Sequence, residues 1–218
     1  MFKKKPQVKN LSPLRSSDRR KLADQIISEF AVRVDELVDV KEEVRQDALP
    51  SGTKPLSSVR NALVPENCSS ARFTTHAGSD NKLVSGTIYV GTHPGHEERI
   101  LWIQYGVNTP RLYPTVYTLW ENPDLVPLLH TPGIVVQKLK TGADLMTPGL
   151  WGGPPWPHGA KKNAIIAVAS AERPSVPVWL GVCEIDVSGL GNVQGVKGKA
   201  VDGIHWAGDE IWSWTSSS

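Results

Sequence analysis

The stretch that decides the fold is GADLMTPGL, residues 142–150. Glycines near both of its ends permit tight turns, and Leu145 and Met146 are typical of a short strand that fills a core. Directly upstream, residues 134–141 have the pattern of a short helix ending at Gly142, where the left-handed conformation after a helix favours glycine. The stretch therefore predicts a helix, a turn and a strand in close succession.

Downstream of this stretch the sequence predicts short strands separated by turns. Residues 164–170 (AIIAVAS) read as a buried strand, and residues 176–187 (VPVWLGVCEIDV) as a second, bent at Gly181. Residues 204–206 and 211–214 read as short final strands. Many short strands with frequent glycine between them predict a small β-barrel of about 85 residues.

Upstream, the sequence predicts an α/β unit with a mostly antiparallel sheet. Helical spacing of Leu22, Ile26 and Phe30 predicts a helix over residues 18–30, and Tyr113 with Pro114 is expected to begin another. A short helix is also expected at 35–40. Strands are expected in three places, residues 71–75, 83–90 and 99–105.

The predicted fold class is α+β, with an α/β domain at residues 1–130 followed by a β pseudo-barrel domain at 131–218. Residues 46–70 are rich in Ser, Pro and Asn and lack periodicity, so they are interpreted as a flexible insertion in the first domain.

Composition excludes several classes of protein. The chain has 218 residues, 39% of them apolar, which is enough to bury a core. It contains no run of 18 apolar residues, and its N-terminus lacks the apolar stretch of a secretory signal. Cys68 and Cys183 are too few for a disulfide scaffold or a four-thiolate zinc site. A cytosolic or nuclear chain is expected.

Charge is distributed unevenly. The formal net charge is +2, yet residues 1–21 carry a net +7 and residues 22–47 a net −5. A basic arm next to an acidic segment suggests a local anion-binding site. The alternative is a solvated N-terminus without a binding role.

Two sets of basic residues are candidates for contact with nucleic-acid phosphates, because lysine and arginine supply mobile or forked cations. The densest set is Arg15, Arg19, Arg20 and Lys21, where cations in the first turn of a helix oppose its dipole. The second set flanks residues 142–150 and consists of Lys138, Lys140, Lys161 and Lys162. Ordinary solvated faces remain the alternative for both.

Aromatic residues in the loop GGPPWPHG and just before it leave two interpretations open. Trp151 and Trp156 either stack on a base or partner or form a lid over the barrel. Catalysis and metal binding find little support: the sequence has no nucleophile elbow, phosphate loop or zinc-protease motif, and His76, His93 and His96 fit no structural-zinc spacing. We expect no enzyme activity and no metal or other cofactor.

The stretch GADLMTPGL resembles the signature of PUA domains, which are small RNA-binding pseudo-barrels. The upstream part is similar to the pre-PUA domain of the ligatin family of translation initiation factors (initiation factor 2D) and of the related malignant T-cell-amplified sequence protein. MFKK at residues 1–4, SDRRKL at 17–22 and LYPTVYTLW at 112–120 carry this resemblance. The resemblance covers about residues 1–45 and 71–214. The chain as a whole resembles the N-terminal part of the ligatin family, which consists of the pre-PUA and PUA domains.

The resemblance implies a cytoplasmic module that docks on the small ribosomal subunit, contacting ribosomal RNA and tRNA without GTP, in tRNA delivery, reinitiation or recycling. It adds Gly142, Asp144 and Pro148 as RNA-site candidates. A separate initiation-factor-like partner or further C-terminal domains would complete the factor, and no membrane is involved. Two alternatives remain open, namely an accessory domain of an RNA-modifying enzyme and a protein-interaction scaffold.

Overall fold

The computed structural model describes residues 2–34, 55–77, 82–106, 109–193 and 195–216. Within them it has two sheets and four α-helices, so the predicted α+β class is confirmed. The helix expected at 35–40 lies outside the described residues. None of the described helices is long and apolar enough to cross a membrane.

The first sheet is antiparallel throughout, as the sequence predicts. Its strands run in the order β1-β3-β4-β5-β6, and β2 pairs with the end of β3. The elements of this half are β1 (Gln7–Val8), β2 (Ser12–Pro13), α1 (Ser16–Glu29), α2 (Leu56–Leu63), β3 (Ser69–Ala77), β4 (Lys82–Gly91), β5 (Arg99–Tyr105), β6 (Arg111–Pro114) and α3 (Val116–Glu121).

Helix α1 forms where the sequence predicts it, two residues earlier than expected. Leu22, Ala23 and Ile26 are buried, as their spacing along one helix face requires. Arg15 is the N-cap and makes no side-chain capping hydrogen bond. The helix is therefore stabilised chiefly by the packing of its apolar face.

Two local predictions in the first half are wrong. The segment 46–70 is not a loop throughout, because residues 56–63 form α2 and bury Val59 and Leu63. Pro114 does not begin a helix, because it ends the edge strand β6, where its missing N–H is tolerated. Helix α3 starts after Thr115, whose hydroxyl accepts the Thr118 N–H at 3.4 Å.

The second sheet has the order β7-β9-β10-β11-β8 and curls toward a barrel. Its elements are β7 (Leu128–Thr131), α4 (Gly133–Leu139), β8 (Leu145–Met146), a 3-10 turn (Thr147–Gly149), β9 (Ile165–Ser170), β10 (Arg173–Cys183) and β11 (Lys199–Trp206). Trp151 bridges back to His130 of β7, and the Thr131 hydroxyl donates to the Gly149 carbonyl at 2.6 Å. These two contacts close the barrel between its edge strands.

The strand predicted at residues 211–214 is also wrong. Asp209, 4% exposed, turns the chain there: its Oδ1 accepts the N–H groups of Ile211 and Trp212 at 3.1 and 3.0 Å. The turned segment returns to the first half, where Trp212 stacks on Tyr117 of α3 with ring centroids 4.1 Å apart. One apolar core continues from the first sheet to Trp214.

Candidate nucleic-acid interface

Gly142 ends the turn after α4 in the left-handed conformation that the sequence predicts, with φ +83°. The Lys3 side chain crosses directly over it. A β-carbon at position 142 would lie 2.3 Å from Lys3 Cε and 3.0 Å from Trp206 Cη2. Glycine is needed here both for the backbone conformation and for the close approach of the N-terminal arm.

Asp144 ties strand β8 to strand β11. Its Oδ2 accepts from Lys199 Nζ at 2.7 Å, and its Oδ1 accepts from the Gly203 N–H at 3.0 Å. Burial by itself would raise the pKa of Asp144, but the hydrogen bonds from Lys199 and Gly203 outweigh it and lower the pKa. Hydrogen bonds from Asp144 and Asp202 hold the pKa of Lys199 above its usual range. The Asp144 carboxylate therefore forms its hydrogen bonds and its ion pair with groups of the protein itself.

Pro148 is exposed in the 3-10 turn that follows β8. The turn is fixed on both sides. Both the N–H and the hydroxyl of Thr147 donate to the Gly198 carbonyl, at 2.9 and 3.2 Å. Pro148 is therefore presented on a rigid part of the barrel rim.

The four lysines around residues 142–150 are all exposed but fall into two places. Lys138 and Lys140 lie at the end of α4, directly before Gly142. Lys161 and Lys162 lie in the turn before β9. Gly142 contacts Trp206, the last residue of β11. Trp206 pairs with β10, and the paired residue of β10 in turn pairs with the middle of β9. The two lysine pairs therefore lie toward opposite ends of the second sheet.

The N-terminal basic cluster divides into Arg19, which is bonded to α2, and three exposed residues, of which Arg20 donates from Nε to the Ser16 carbonyl within α1 at 3.3 Å. Arg19 donates from Nη1 to Asn61 Oδ1 at 2.8 Å and to the Val64 carbonyl at 2.9 Å, at the end of α2. A cation at that helix end is favourable, which explains its position against the dipole of α1. Arg15, Arg20 and Lys21 are exposed.

The sequence reasoning missed the arm lysines as site residues. Lys5 and Lys9 line a groove of about 300 Å³ between the N-terminal arm and Trp214. Strand β1 holds the arm on β3, where the Lys9 N–H donates to the Arg72 carbonyl at 2.9 Å. The net +7 charge of residues 1–21 was the available signal.

These placements define what we name the arm–signature surface: Lys3, Lys5, Lys9, Lys138, Lys140 and Gly142. Its five lysines are exposed, and Lys3 links the arm to the second domain by lying against Gly142. Lysine can lay its methylenes on such a surface while its ammonium stays in water. The surface presents mobile cations, which suit phosphate.

Trp151 and Trp156, the two tryptophans at the GGPPWPHG loop, differ in burial. Trp156 is 8% exposed and donates from Nε1 to the Leu190 carbonyl at 2.8 Å, as a lid would. Trp151 is 57% exposed. Among the residues that the structure describes, no three His, Cys, Asp or Glu side chains are grouped to hold a metal ion.

Two family models match the chain. The pre-PUA-like domain model matches residues 2–59, and the PUA domain model of initiation factor 2D matches residues 126–210. The second match begins close to β7, which starts the second sheet at Leu128.

Curated relatives agree with these models. Rabbit (Oryctolagus cuniculus) eukaryotic translation initiation factor 2D is 30% identical over 217 residues, covering 97% of this chain and 31% of the relative. Translation machinery-associated protein 64 of Saccharomyces cerevisiae is 28% identical over 212 residues, with the same coverage. The chain thus spans about a third of the length of these relatives and corresponds to their N-terminal part.

A solved structure shows the same fold. A conserved PUA domain protein from Thermoplasma acidophilum superposes with a TM-score of 0.52 and 19% identity, covering 93% of this chain and 97% of that one. The fold of this chain is therefore that of a PUA domain protein over nearly its whole length. The chain carries a pre-PUA-like domain and a PUA domain of the initiation factor 2D type, and over 97% of its length it is similar to the N-terminal part of eukaryotic translation initiation factor 2D.

Proposed function

We propose that this chain is a non-enzymatic RNA-binding module that docks on the small ribosomal subunit and on tRNA, in GTP-independent tRNA delivery, reinitiation or recycling. The PUA domain match and the similarity to initiation factor 2D and translation machinery-associated protein 64 support a translation-related RNA-binding role. The observation that carries the proposal is the contact of Lys3 with Gly142, which joins the basic arm and the PUA signature into one surface.

Electrostatics supports this use of the arm–signature surface. An RNA backbone carries one negative charge per nucleotide, and lysines that neutralise phosphates release bound counterions, which drives binding at low salt. The arm lysines belong to the first domain and Lys138 and Lys140 to the second. A single RNA segment crossing the surface would contact both domains at once.

We assign different roles to the candidate residues. Lys138 and Lys140 contact phosphates with the arm lysines, and Arg15, Arg20 and Lys21 extend the contact along the start of α1. Gly142 leaves room for Lys3 to cross the signature, and the exposed Pro148 allows close approach of the RNA backbone. Asp144 and Arg19 hold the surface in shape through their internal hydrogen bonds. Lys161 and Lys162 form a second contact at the other end of the barrel.

The proposed partners are ribosomal RNA and tRNA in the cytoplasm, with no membrane involved. The chain matches only about a third of its curated relatives' length. We therefore propose that an initiation-factor-like partner, or domains corresponding to the rest of those relatives, acts together with this module.

Sedimentation with isolated ribosomal subunits tests the proposal. The chain is mixed with small subunits, and with large subunits as the control, at low and moderate salt. We expect co-sedimentation with the small subunit that weakens as salt rises. Absence of binding to small subunits at low salt would contradict the proposal for this chain.

A further inference from the structure

Trp151 projects from a fixed backbone into solvent. The backbone N–H of Trp151 donates to the His130 carbonyl at 2.9 Å, across the β-bridge that joins these two residues. The preceding residue, Leu150, is buried. The residue as a whole is 57% exposed. A large apolar ring on a rigid support loses little conformational entropy when it binds a ligand.

Two open clefts are lined in part by Trp151. One, of about 590 Å³, lies between Trp151 and the loop containing Asn192 and Val193. The other, of about 330 Å³, lies between Trp151, His130 and the buried Trp156. Each has room for a flat ring against the indole.

The chemistry of the two clefts favours a nucleobase within a nucleic acid. Among the described residues that line the two clefts, none carries a carboxylate or an ammonium group, so the walls suit an uncharged ring. A β-carbon at Gly152, Gly153 or Gly195 would meet no atom within 4 Å, so the backbone there is open to close approach.

Exposed lysines follow the cleft-lining segments closely in the sequence. Lys161 and Lys162 follow the second cleft along the chain, and Lys197 follows the first; all three are exposed. Asp186, the carboxylate beside Lys161, accepts from Ser188 Oγ at 2.6 Å. An exposed aromatic ring with cations a few residues away along the chain suits a base attached to a phosphate backbone.

We propose that Trp151 is a stacking platform for an unpaired RNA base, with Lys162 and Lys197 contacting the adjoining phosphates. This inference rests on the proposed function, because it names the kind of RNA element that the module binds. Stacking on an aromatic side chain tolerates different bases, since every base offers a π-face. The platform therefore favours single-stranded RNA without requiring one sequence.

Two RNA decamers separate stacking from electrostatic binding. One is an intact single-stranded decamer, and the other has the same backbone with every base removed. Affinities are measured by fluorescence anisotropy for the full chain and for Trp151→Ala, Trp151→Phe and Ile134→Ala. Ile134 is 73% exposed on α4 and lines neither cleft, so Ile134→Ala is the matched control. Thermal unfolding establishes that every variant is folded.

We expect Trp151→Ala to weaken binding of the intact decamer by about five-fold or more and to leave binding of the abasic decamer unchanged. Trp151→Phe should retain most of the affinity, and Ile134→Ala all of it. Equal affinity of Trp151→Ala and the unaltered chain for the intact decamer would overturn the stacking role alone. Equal weakening for both decamers would also overturn it. Failure of the unaltered chain to bind either RNA would contradict the proposed function and this inference together.

Discussion

Lys199 Nζ lies 2.7 Å from Asp144 Oδ2, which fixes the middle of the signature stretch to strand β11. Lys199 also contacts Asp202 at 2.6 Å, so its ammonium sits between two carboxylates. The acidic residue of the signature thereby fixes this rim of the second sheet through internal contacts. It does not present a negative charge to phosphate.

This pairing predicts a pH-dependent contribution to stability. The pKa of Asp144 is lowered in the folded chain, so the carboxylate stabilises the fold at neutral pH and this contribution is lost as pH falls below its ordinary pKa of 3.8. Asp144→Asn should lower the free energy of unfolding at pH 7 by about 1 kcal/mol. Urea unfolding at pH 7 and pH 3 measures the difference, which should shrink at the lower pH. A difference that is the same at both values would contradict the assignment.

Gly142→Ala should destabilise the chain and weaken RNA binding. The new β-carbon would meet Lys3 Cε and Trp206 Cη2 at a residue with φ +83°. The backbone conformation alone costs about 1 kcal/mol for a non-glycine residue. Lys3 is flexible and should be displaced from the signature.

Thermal unfolding and RNA affinity measure both effects. Gly191→Ala serves as the control, because a β-carbon at Gly191 meets no atom within 4 Å. Equal behaviour of the two variants would show that the approach of the arm to Gly142 is unimportant.

The two neighbouring arginines of α1 should separate stability from binding. Arg19→Ala removes two hydrogen bonds to the end of α2 and should cost about 1–2 kcal/mol of stability. Arg20→Ala should leave stability nearly unchanged and reduce the slope of log affinity against log salt by about 1. Unfolding curves and salt titrations of both variants provide the check. The assignment fails if Arg20→Ala is the more destabilising change.

Trp212 should matter for the attachment of the second domain to the first. Its ring stacks on Tyr117 at 4.1 Å and meets Trp120 edge-on at 5.3 Å. Trp212→Ala should lower the melting temperature, with about 0.5–1.5 kcal/mol from the aromatic contacts in addition to lost burial. Trp212→Phe should recover part of the loss. Differential scanning calorimetry measures both, and an unchanged melting temperature for Trp212→Ala would contradict this role.

Much of the sheet architecture could be predicted from the sequence, because strand patterns are local. Apolar residues alternate or cluster within residues 83–90 and 99–105, and this pattern is strong enough to predict β4 and β5. Gly142 was predictable for the same reason, since it directly follows a helical pattern. The resemblance of GADLMTPGL then indicated the type of domain.

Other elements depend on tertiary contacts that local patterns do not contain. Helix α2 has only two buried positions, Val59 and Leu63, in a segment rich in Ser and Asn, so its formation depends on packing against the rest of the core. The turn after Trp206 depends on Asp209, whose carboxylate accepts several backbone N–H groups. Short-range patterns could not reveal either arrangement.

The candidate site was predictable in charge but not in geometry. The basic arm was evident from its composition, and the lysines of α4 from their position before the signature. The crossing of Lys3 over Gly142 joins residues far apart in sequence, so only the folded chain reveals it. Arg19 was indistinguishable from Arg20 until its bonds to Asn61 and Val64 were seen.

The central claim is tested most directly by altering the arm lysines and measuring how binding to small ribosomal subunits depends on salt. We would measure affinity over a range of salt concentrations for three proteins. They are the unaltered chain, the double variant that carries both Lys5→Gln and Lys9→Gln, and the control variant Arg173→Gln. Arg173 is exposed on β10 outside the arm–signature surface. We predict that the double variant binds more weakly, with a slope of log affinity against log salt smaller by about 1–2, while Arg173→Gln behaves like the unaltered chain. An unchanged affinity and slope for the double variant would contradict the claim that RNA binds at the arm–signature surface.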